Sequence, residues 1–377
     1  MKIIYISEYF PYSENENISG GVENRCYNIA KRLAKNNNIT VITSWKKGQA
    51  RKQVLNNINV IRVGPNHEYS NEKNIISRLR FTIAAYNTAK RLKADITEGY
   101  NFITYLPVYY AAKKNHSKKI ITYHEIWIGD WIKNKGIITG ILGEIWERKT
   151  LSLKWDKIIS VSNFTADKIS KYQKRIKVIP NGIDLKQYNI KSKKYENPTI
   201  ITVSRLTKFK RIKDIIYAIY LIKKETPNIK LIIAGKGDEI NNLKYLTKKL
   251  KLENNVEFTG FIDNEKLKVL LKKSHIFCSA SVLEGFGIVI LEAMASGLPY
   301  VCSDIQAFKE VTNNGEGGFI FKKKNHIDLA NKIKILIKNK KIYNQKTKEA
   351  KEIVNKYDWN KISEEIIKLY HESLIHK

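Results

Sequence analysis

Residues 281–299, SVLEGFGIVILEAMASGLP, read as a strand exit, a glycine turn and a helix in immediate succession. Gly285, Phe286 and Gly287 form the turn, and the apolar run 288–295 forms the helix. It stops at Ser296-Gly297 with Pro299 just beyond, the usual chemistry of a helix C-terminus. A helix opened in this way turns the N–H groups of Phe286, Gly287 and Ile288 toward whatever lies in front of it, and glycine lets an anion approach closely. Glu284 stands before the turn and Glu292 two turns into the helix, with seven residues between them. At that separation the two carboxylates suit opposite ends of an elongated ligand.

The surrounding segments repeat the strand–loop–helix pattern. Strands are expected at 275–279 and 300–303 on either side, and at 199–204 (TIITVS), 230–234 and 256–260 before them. The strand 199–204 delivers Arg205 to its carboxyl end, with Lys210 just ahead of the helical pattern 212–222. A planar guanidinium and a mobile ammonium at one strand end form a clamp for a diphosphate. Gly235, Lys236 and Gly237 follow the strand 230–234 as a second phosphate-type or nucleotide-facing turn, without the Lys-Ser/Thr pair of a Walker loop.

Residues 178–184, VIPNGID, place Pro, Asn and Gly in succession near the middle of the chain and mark a domain boundary. Before it, strands are expected at 2–7 (KIIYIS), 39–43, 58–63, 95–98, 119–123, 157–162 and 177–179, with helices between most of them. Such alternation implies parallel sheets covered on both faces, with ligands at the carboxyl ends of the strands. Gly20-Gly21 precede a helical pattern after the polar loop 8–19, and close packing explains them as well as ligand approach does. His124-Glu125 end the strand 119–123; a ligand contact or a strand-capping, core-bonded histidine would fit equally.

With 377 residues the chain is long enough for two domains. Cys26, Cys278 and Cys302 are scattered and odd in number, which points to a reducing compartment and to no zinc site. The first apolar run is too short for a signal peptide, and a soluble, cytoplasmic protein is expected.

The formal net charge is +32. Residues 1–183 hold 31 Lys and Arg against 14 Asp and Glu, and the rest hold 37 against 22, so the excess is even. Biased composition and attraction to anionic lipid both account for it. Two segments, 75–93 and 133–142, mix basic with apolar residues as interfacial docking requires, although an ordinary amphipathic helix over the sheet accounts for the first.

EGFGIVILEAMASGLPYV at 284–301 resembles the E-x7-E element of the retaining family 4 glycosyltransferases. VSRLTKFK at 203–210 is similar to their R-L-x-x-x-K element, and PNGID at 180–184 to the segment leading into their second domain. Arg211 stands where that family usually has glycine. The resemblance runs over nearly the whole chain and implies an α/β GT-B architecture: two Rossmann-like domains whose parallel sheets face a central cleft. Residues 1–183 would be the acceptor-side domain and 184–357 the nucleotide-sugar donor domain. Residues 358–377, anchored by Trp359, would form a helix crossing back to the first domain.

The same resemblance implies roles. Glu292 would bind the ribose hydroxyls; Glu284, with the amides of Phe286, Gly287 and Ile288, would orient the sugar hydroxyls and the diphosphate. Arg205 and Lys210 would stabilise the departing phosphate in place of a metal ion. Gly20 and Gly21 would face the donor phosphate, Gly235 the nucleotide, and His124 the transferred sugar.

The co-substrate would be a UDP- or GDP-type sugar, with no cofactor and no metal, and the acceptor a glycan or a lipid-linked intermediate of cell-surface polysaccharide synthesis. Peripheral contact with anionic membrane at its cytoplasmic face is expected. No carboxylate is identified as a covalent nucleophile, so a front-face reaction fits the residues better than double displacement. The rival readings are a basic nucleic-acid-binding protein, although no RNA or single-strand module is recognisable, and another GT-B enzyme such as a nucleotide-sugar epimerase or a phosphorylase.

Overall fold

The computed structural model describes residues 1–14, 20–67 and 75–375. Residues 15–19 of the loop 8–19 therefore lie outside the described residues, as do the last two positions of the expected terminal helix. The chain divides into two compact units, Met1–Asn181 with Trp359–Lys377, and Gly182–Asp358.

Among its described residues the first unit has eight strands: β1 Lys2–Ile6, β2 Asn38–Trp45, β3 Lys52–Leu55, β4 Ile58–Asn66, β5 Ile96–Gly99, β6 Lys118–Tyr123, β7 Lys157–Ser160 and β8 Ile176–Val178. Their order is β3-β4-β2-β1-β5-β6-β7-β8. Runs such as KIIYI and ITVIT are buried on both sides, as β-branched strands of a parallel sheet should be. Among the described residues only β3 is antiparallel to its neighbour. It was not expected from the sequence, because its exposed hairpin with β4 turns on Asn56 and Asn57, at φ 50° and 62°, rather than on glycine.

Helices α1 Gly21–Leu33, α2 Ile75–Ala89, α3 Tyr105–Asn115, α4 Trp131–Lys135, α5 Ile137–Ser152 and α6 Asn163–Ser170 complete the first run of this unit. Phe81, Val108, Trp155 and Ile169 build the core on one face of the sheet.

The second unit has six parallel strands: β9 Thr199–Val203, β10 Lys230–Ala234, β11 Val256–Gly260, β12 Ile276–Ser279, β13 Tyr300–Ser303 and β14 Gly318–Phe321. Helices α7 Ile212–Lys223, α8 Ile240–Lys249, α9 Asn264–Lys273, α10 Ile288–Ala295, α11 Gln306–Val311, α12 His326–Lys338 and α13 Lys340–Val354 connect them. The order β11-β10-β9-β12-β13-β14 reverses direction between β9 and β12, which opens the crevice where doubly wound sheets bind ligands. The short strand β14 also escaped the sequence reading.

The last helix, α14 Trp359–Ile375, belongs to the first unit and packs on α1. Trp359, Ile362, Ile366, Leu369 and Tyr370 form its buried stripe, in one core with Tyr5 and Ile29. No helix among the described residues is long and apolar enough to cross a membrane.

Candidate active site

In the second unit, the loops after β9 and β12 meet at the switch point. The amide of Val282 donates to the carbonyl of Phe209 at 2.9 Å, tying the two loops together. Across this joint Lys210 forms an ion pair with Glu284, and both side chains are largely buried. The Ser281 hydroxyl donates to the same Glu284 oxygen at 3.0 Å. Ser281 was passed over in the sequence, where a serine two residues past a strand carries no signal of its own.

Helix α10 begins directly behind Glu284. Gly287 caps it at φ 93°, and a Cβ there would stand 2.9 Å from the Phe308 ring, so conformation and packing both demand glycine. Phe286 is buried beside Tyr357, with ring centroids 6.0 Å apart. These contacts fix the turn whose amides, from Phe286 to Ile288, start the helix. At the other end Gly297 at φ 78° and the bond from the Leu298 amide to the Ala293 carbonyl close it, where the sequence placed its stop.

Glu292 lies on α10 and receives a hydrogen bond from the Tyr188 hydroxyl. Burial raises its pKa to about 7, against the opposing pull of that hydrogen bond and of the Lys268 ammonium. Lys268 pairs with Glu265 at 2.7 Å, and its Nζ lies 6.0 Å from the centroid of the Tyr188 ring. Tyr188 and Lys268 were invisible to sequence reasoning, since they reach Glu292 from a 3₁₀ turn and from α9, far from it along the chain.

Arg205 is exposed at the end of β9, with Lys210 farther along the same loop. Gly235 has φ 142°, and a Cβ there would come within 1.8 Å of the Ser204 carbonyl oxygen. The amide of Gly235 donates to Gly260 and that of Leu206 to Lys236, so the ends of β9, β10 and β11 are locked together by backbone bonds. Arg211 takes the left-handed conformation, φ 49°, that a glycine would adopt without strain. Its guanidinium grips Asp214 in a two-bond fork, at 2.6 and 2.8 Å. Arg211 therefore directs its charge into α7 rather than adding it to the phosphate clamp.

Gly20, Gly21 and His124 lie in the first unit. Gly20 is the extended N-cap of α1. A Cβ on Gly21 would meet nothing within 4 Å among the described residues, so they give no packing reason for glycine. His124 follows β6 with its Nε2 buried and without a hydrogen-bond partner among the described residues. Burial, and then the positive charge of Arg25, lower its pKa to about 3, so the ring is neutral across the physiological range.

Arg25 is itself fully buried and donates to the Pro180 carbonyl at 2.6 Å and to Asn181 Oδ1 at 3.1 Å, fastening the end of the first unit to α1. At the end of β1, buried Glu8 binds Arg78 Nε at 2.8 Å, His67 Nε2 at 2.9 Å and Asn101 Nδ2 at 3.0 Å.

Two doubly wound sheets, the second with an acid–ammonium pair and a glycine-opened helix at its switch point, define a protein of the GT-B class. The family model described as Glycosyl transferases group 1 matches residues 186–353, and that of Glycosyltransferase Family 4 matches residues 19–187. The chain belongs to the family 4, group 1 glycosyltransferases.

An uncharacterized glycosyltransferase of Methanocaldococcus jannaschii, MJ1607, is 26% identical over 98% of both chains. Sucrose-phosphate synthase from Thermosynechococcus elongatus has the same fold over all of both chains, with a TM-score of 0.84 at 18% identity. The Anabaena protein Alr3699/HepE, solved in complex with UDP, matches with a TM-score of 0.76 at 18% identity, over 99% of this chain and all of that one.

Proposed function

We propose that this chain is a retaining, metal-independent hexosyltransferase that moves a sugar from a UDP- or GDP-type donor to a glycan or lipid-linked acceptor. The observation that carries the reading is the Lys210–Glu284 pair at the β9/β12 switch point, on the loop that Arg205 opens and just ahead of α10. The binding of UDP by a protein of the same fold supports the donor class.

Lys210 and Glu284 neutralise each other. A diphosphate entering the loop competes for the Lys210 ammonium and leaves the Glu284 carboxylate to accept hydrogen bonds from sugar hydroxyls. Arg205, Lys210 and the amides of α10 then stabilise the negative charge that grows on the phosphate as the glycosidic C–O bond breaks. Glu292 receives the ribose hydroxyls and Gly235 lets the nucleotide lie close to the backbone. Within the first unit, Gly20 and Gly21 are assigned to donor binding and the neutral His124 to hydrogen bonding during transfer. The acceptor oxygen attacks from the face the phosphate leaves, and its proton passes to the departing phosphate oxygen, so no enzyme carboxylate forms a covalent bond. A lipid-linked acceptor would be met at the cytoplasmic face of an anionic membrane, with the protein peripheral to it.

Proton NMR of the sugar released by slow donor hydrolysis, in buffer containing EDTA, tests the chemistry. The first-formed sugar should keep the donor's anomeric configuration. An inverted product, a glycosyl-enzyme adduct or loss of turnover with EDTA would overturn the corresponding part of the reading.

A further inference from the structure

Helix α5 is built inside out. Its buried positions include Gly140, Gly143 and Glu147, while Ile137, Ile138, Leu142 and Ile145 face solvent in a stripe at helical spacing. Ile138 is 78% exposed and Ile137 71%. The two glycines explain how such a helix stays folded. A Cβ on Gly140 would fall 2.5 Å from the Ile132 Cα, and one on Gly143 2.4 Å from the Trp131 ring, so α4 and α5 close on each other nearly backbone to backbone. Glu147 adds a polar staple, accepting from Trp131 Nε1 at 2.7 Å and from the Trp127 amide at 3.1 Å. The hairpin closes without Ile137, Ile138, Leu142 and Ile145, which are left outward.

Helix α2 shows the same surplus. It buries Phe81 and Ala85 against the sheet and exposes Ile76, 68% accessible, and Ile83. The two apolar stripes flank common ground: α2 packs on the 3₁₀ turn Phe102–Thr104, and the Phe102 ring lies 4.9 Å from that of Trp131 and 6.2 Å from that of Trp146.

We infer that the outer faces of α2 and the α4–α5 hairpin dock the first unit onto an anionic lipid bilayer. The exposed aliphatic side chains recur at helical spacing on each helix rather than singly, as on an interaction site. Exposed Arg80 and Lys133 border it, α2 contains no acidic residue, and half-buried indoles of Trp131 and Trp146 lie beside it, the composition of an interfacial surface. A second copy of a chain carrying +32 would be repelled, whereas anionic head groups are attracted. Phe102 and Trp131 follow the carboxyl ends of β5 and β6, so docking would bring the ends of these strands near the lipid head groups. That last consequence, delivery of a lipid-linked acceptor, rests on the transferase reading; the docking face itself does not.

The test is flotation of the full chain with phosphatidylglycerol and with phosphatidylcholine vesicles, at low and high salt, for wild type and for Ile137→Ser/Ile138→Ser/Leu142→Ser and Ile76→Ser/Ile83→Ser. Sedimentation velocity without lipid and thermal shift with nucleotide sugars are run on the same preparations. Selective binding to the anionic vesicles, weakened about tenfold or more by each set of substitutions while melting is unchanged, supports the inference.

Absence of vesicle binding, or binding that high salt removes and the serine variants do not alter, overturns it. A wild-type dimer that the serine variants dissociate overturns it as well and assigns the face to self-association. Donor stabilisation without vesicle binding sinks the docking face alone; vesicle binding without donor stabilisation sinks the transferase reading alone.

Discussion

Lys210 and Glu284, 74 residues apart in the chain, meet as an ion pair across the point where the strand order of the second unit reverses. The pair joins the two sequence elements that looked most functional, the basic loop after β9 and the first glutamate before α10. Because the two groups act on one another, their removal should not be additive. Lys210→Ala and Glu284→Gln are each expected to lower kcat by about 10²–10³, and the double variant to lose little more than the worse single one. Steady-state donor turnover checks this, and fully multiplicative losses would show that the two residues act independently.

Glu292 should make donor affinity depend on pH. Its carboxyl is raised to about 7, so the ionised form, the better acceptor for two ribose hydroxyls, fills in as pH rises through neutrality. Donor binding should strengthen over that interval, and Glu292→Gln should flatten the dependence. Tyr188→Phe removes a hydrogen bond that favours the ionised form and should move the midpoint upward. Titration calorimetry from pH 5.5 to 8.5 reads all three.

The same group and His124 act on stability with opposite signs. Glu292 has a folded pKa above its unfolded value, so the folded chain holds the extra proton, and its contribution falls as pH rises from about 4.5 to about 7. His124 has a folded pKa below its unfolded value, so the unfolded chain holds the extra proton, and its contribution is lost as pH falls below about 6.5. Denaturant melts should show His124→Gln less sensitive than wild type between pH 6.5 and 4.5, and Glu292→Gln less sensitive between pH 4.5 and 7.

Two glycines should separate folding from function. Gly235→Ala drives a Cβ into the Ser204 carbonyl at a φ foreign to L residues, and should cost more than about 1 kcal/mol. Gly21→Ala meets open space among the described residues and should leave stability within about 0.5 kcal/mol. Substitution of Gly21 should nevertheless raise the donor KM.

Arg211→Gly would relieve about 1–2 kcal/mol of left-handed strain, yet it strands the buried Asp214 carboxylate. The stranded charge should dominate, giving a net loss of stability, and Arg211→Gly/Asp214→Asn should recover most of it. Chemical denaturation of both variants measures the balance.

Much of the second unit was legible because its information is local. The β-branched run 199–204 gave β9, short strand-like segments gave β10, β11, β12 and β13, and the Ser296-Gly297 stop gave the end of α10 to the residue. Arg211 could be singled out as a departure, but only the structure shows Asp214 absorbing its charge. What stayed hidden depends on partners distant in the chain. Tyr188 and Lys268 matter because they converge on Glu292, and Arg25 because it is buried against Pro180 and Asn181. The hairpin at Asn56-Asn57 uses left-handed asparagines where a reader looks for glycine. Residues 133–142 looked like an apolar run beside lysines; that α5 turns its glycines inward and its isoleucines outward follows from the closeness of α4, which no periodicity reports.

The most direct measurement is calorimetric binding of UDP- and GDP-sugars, without metal, to wild type, Glu292→Ala and Lys210→Ala. The account predicts that one nucleotide sugar binds wild type and that each substitution weakens it about tenfold or more, a loss of at least about 1.4 kcal/mol, with melting behaviour in the absence of donor preserved. Binding of no nucleotide sugar, or binding that both substitutions leave unchanged, would contradict it.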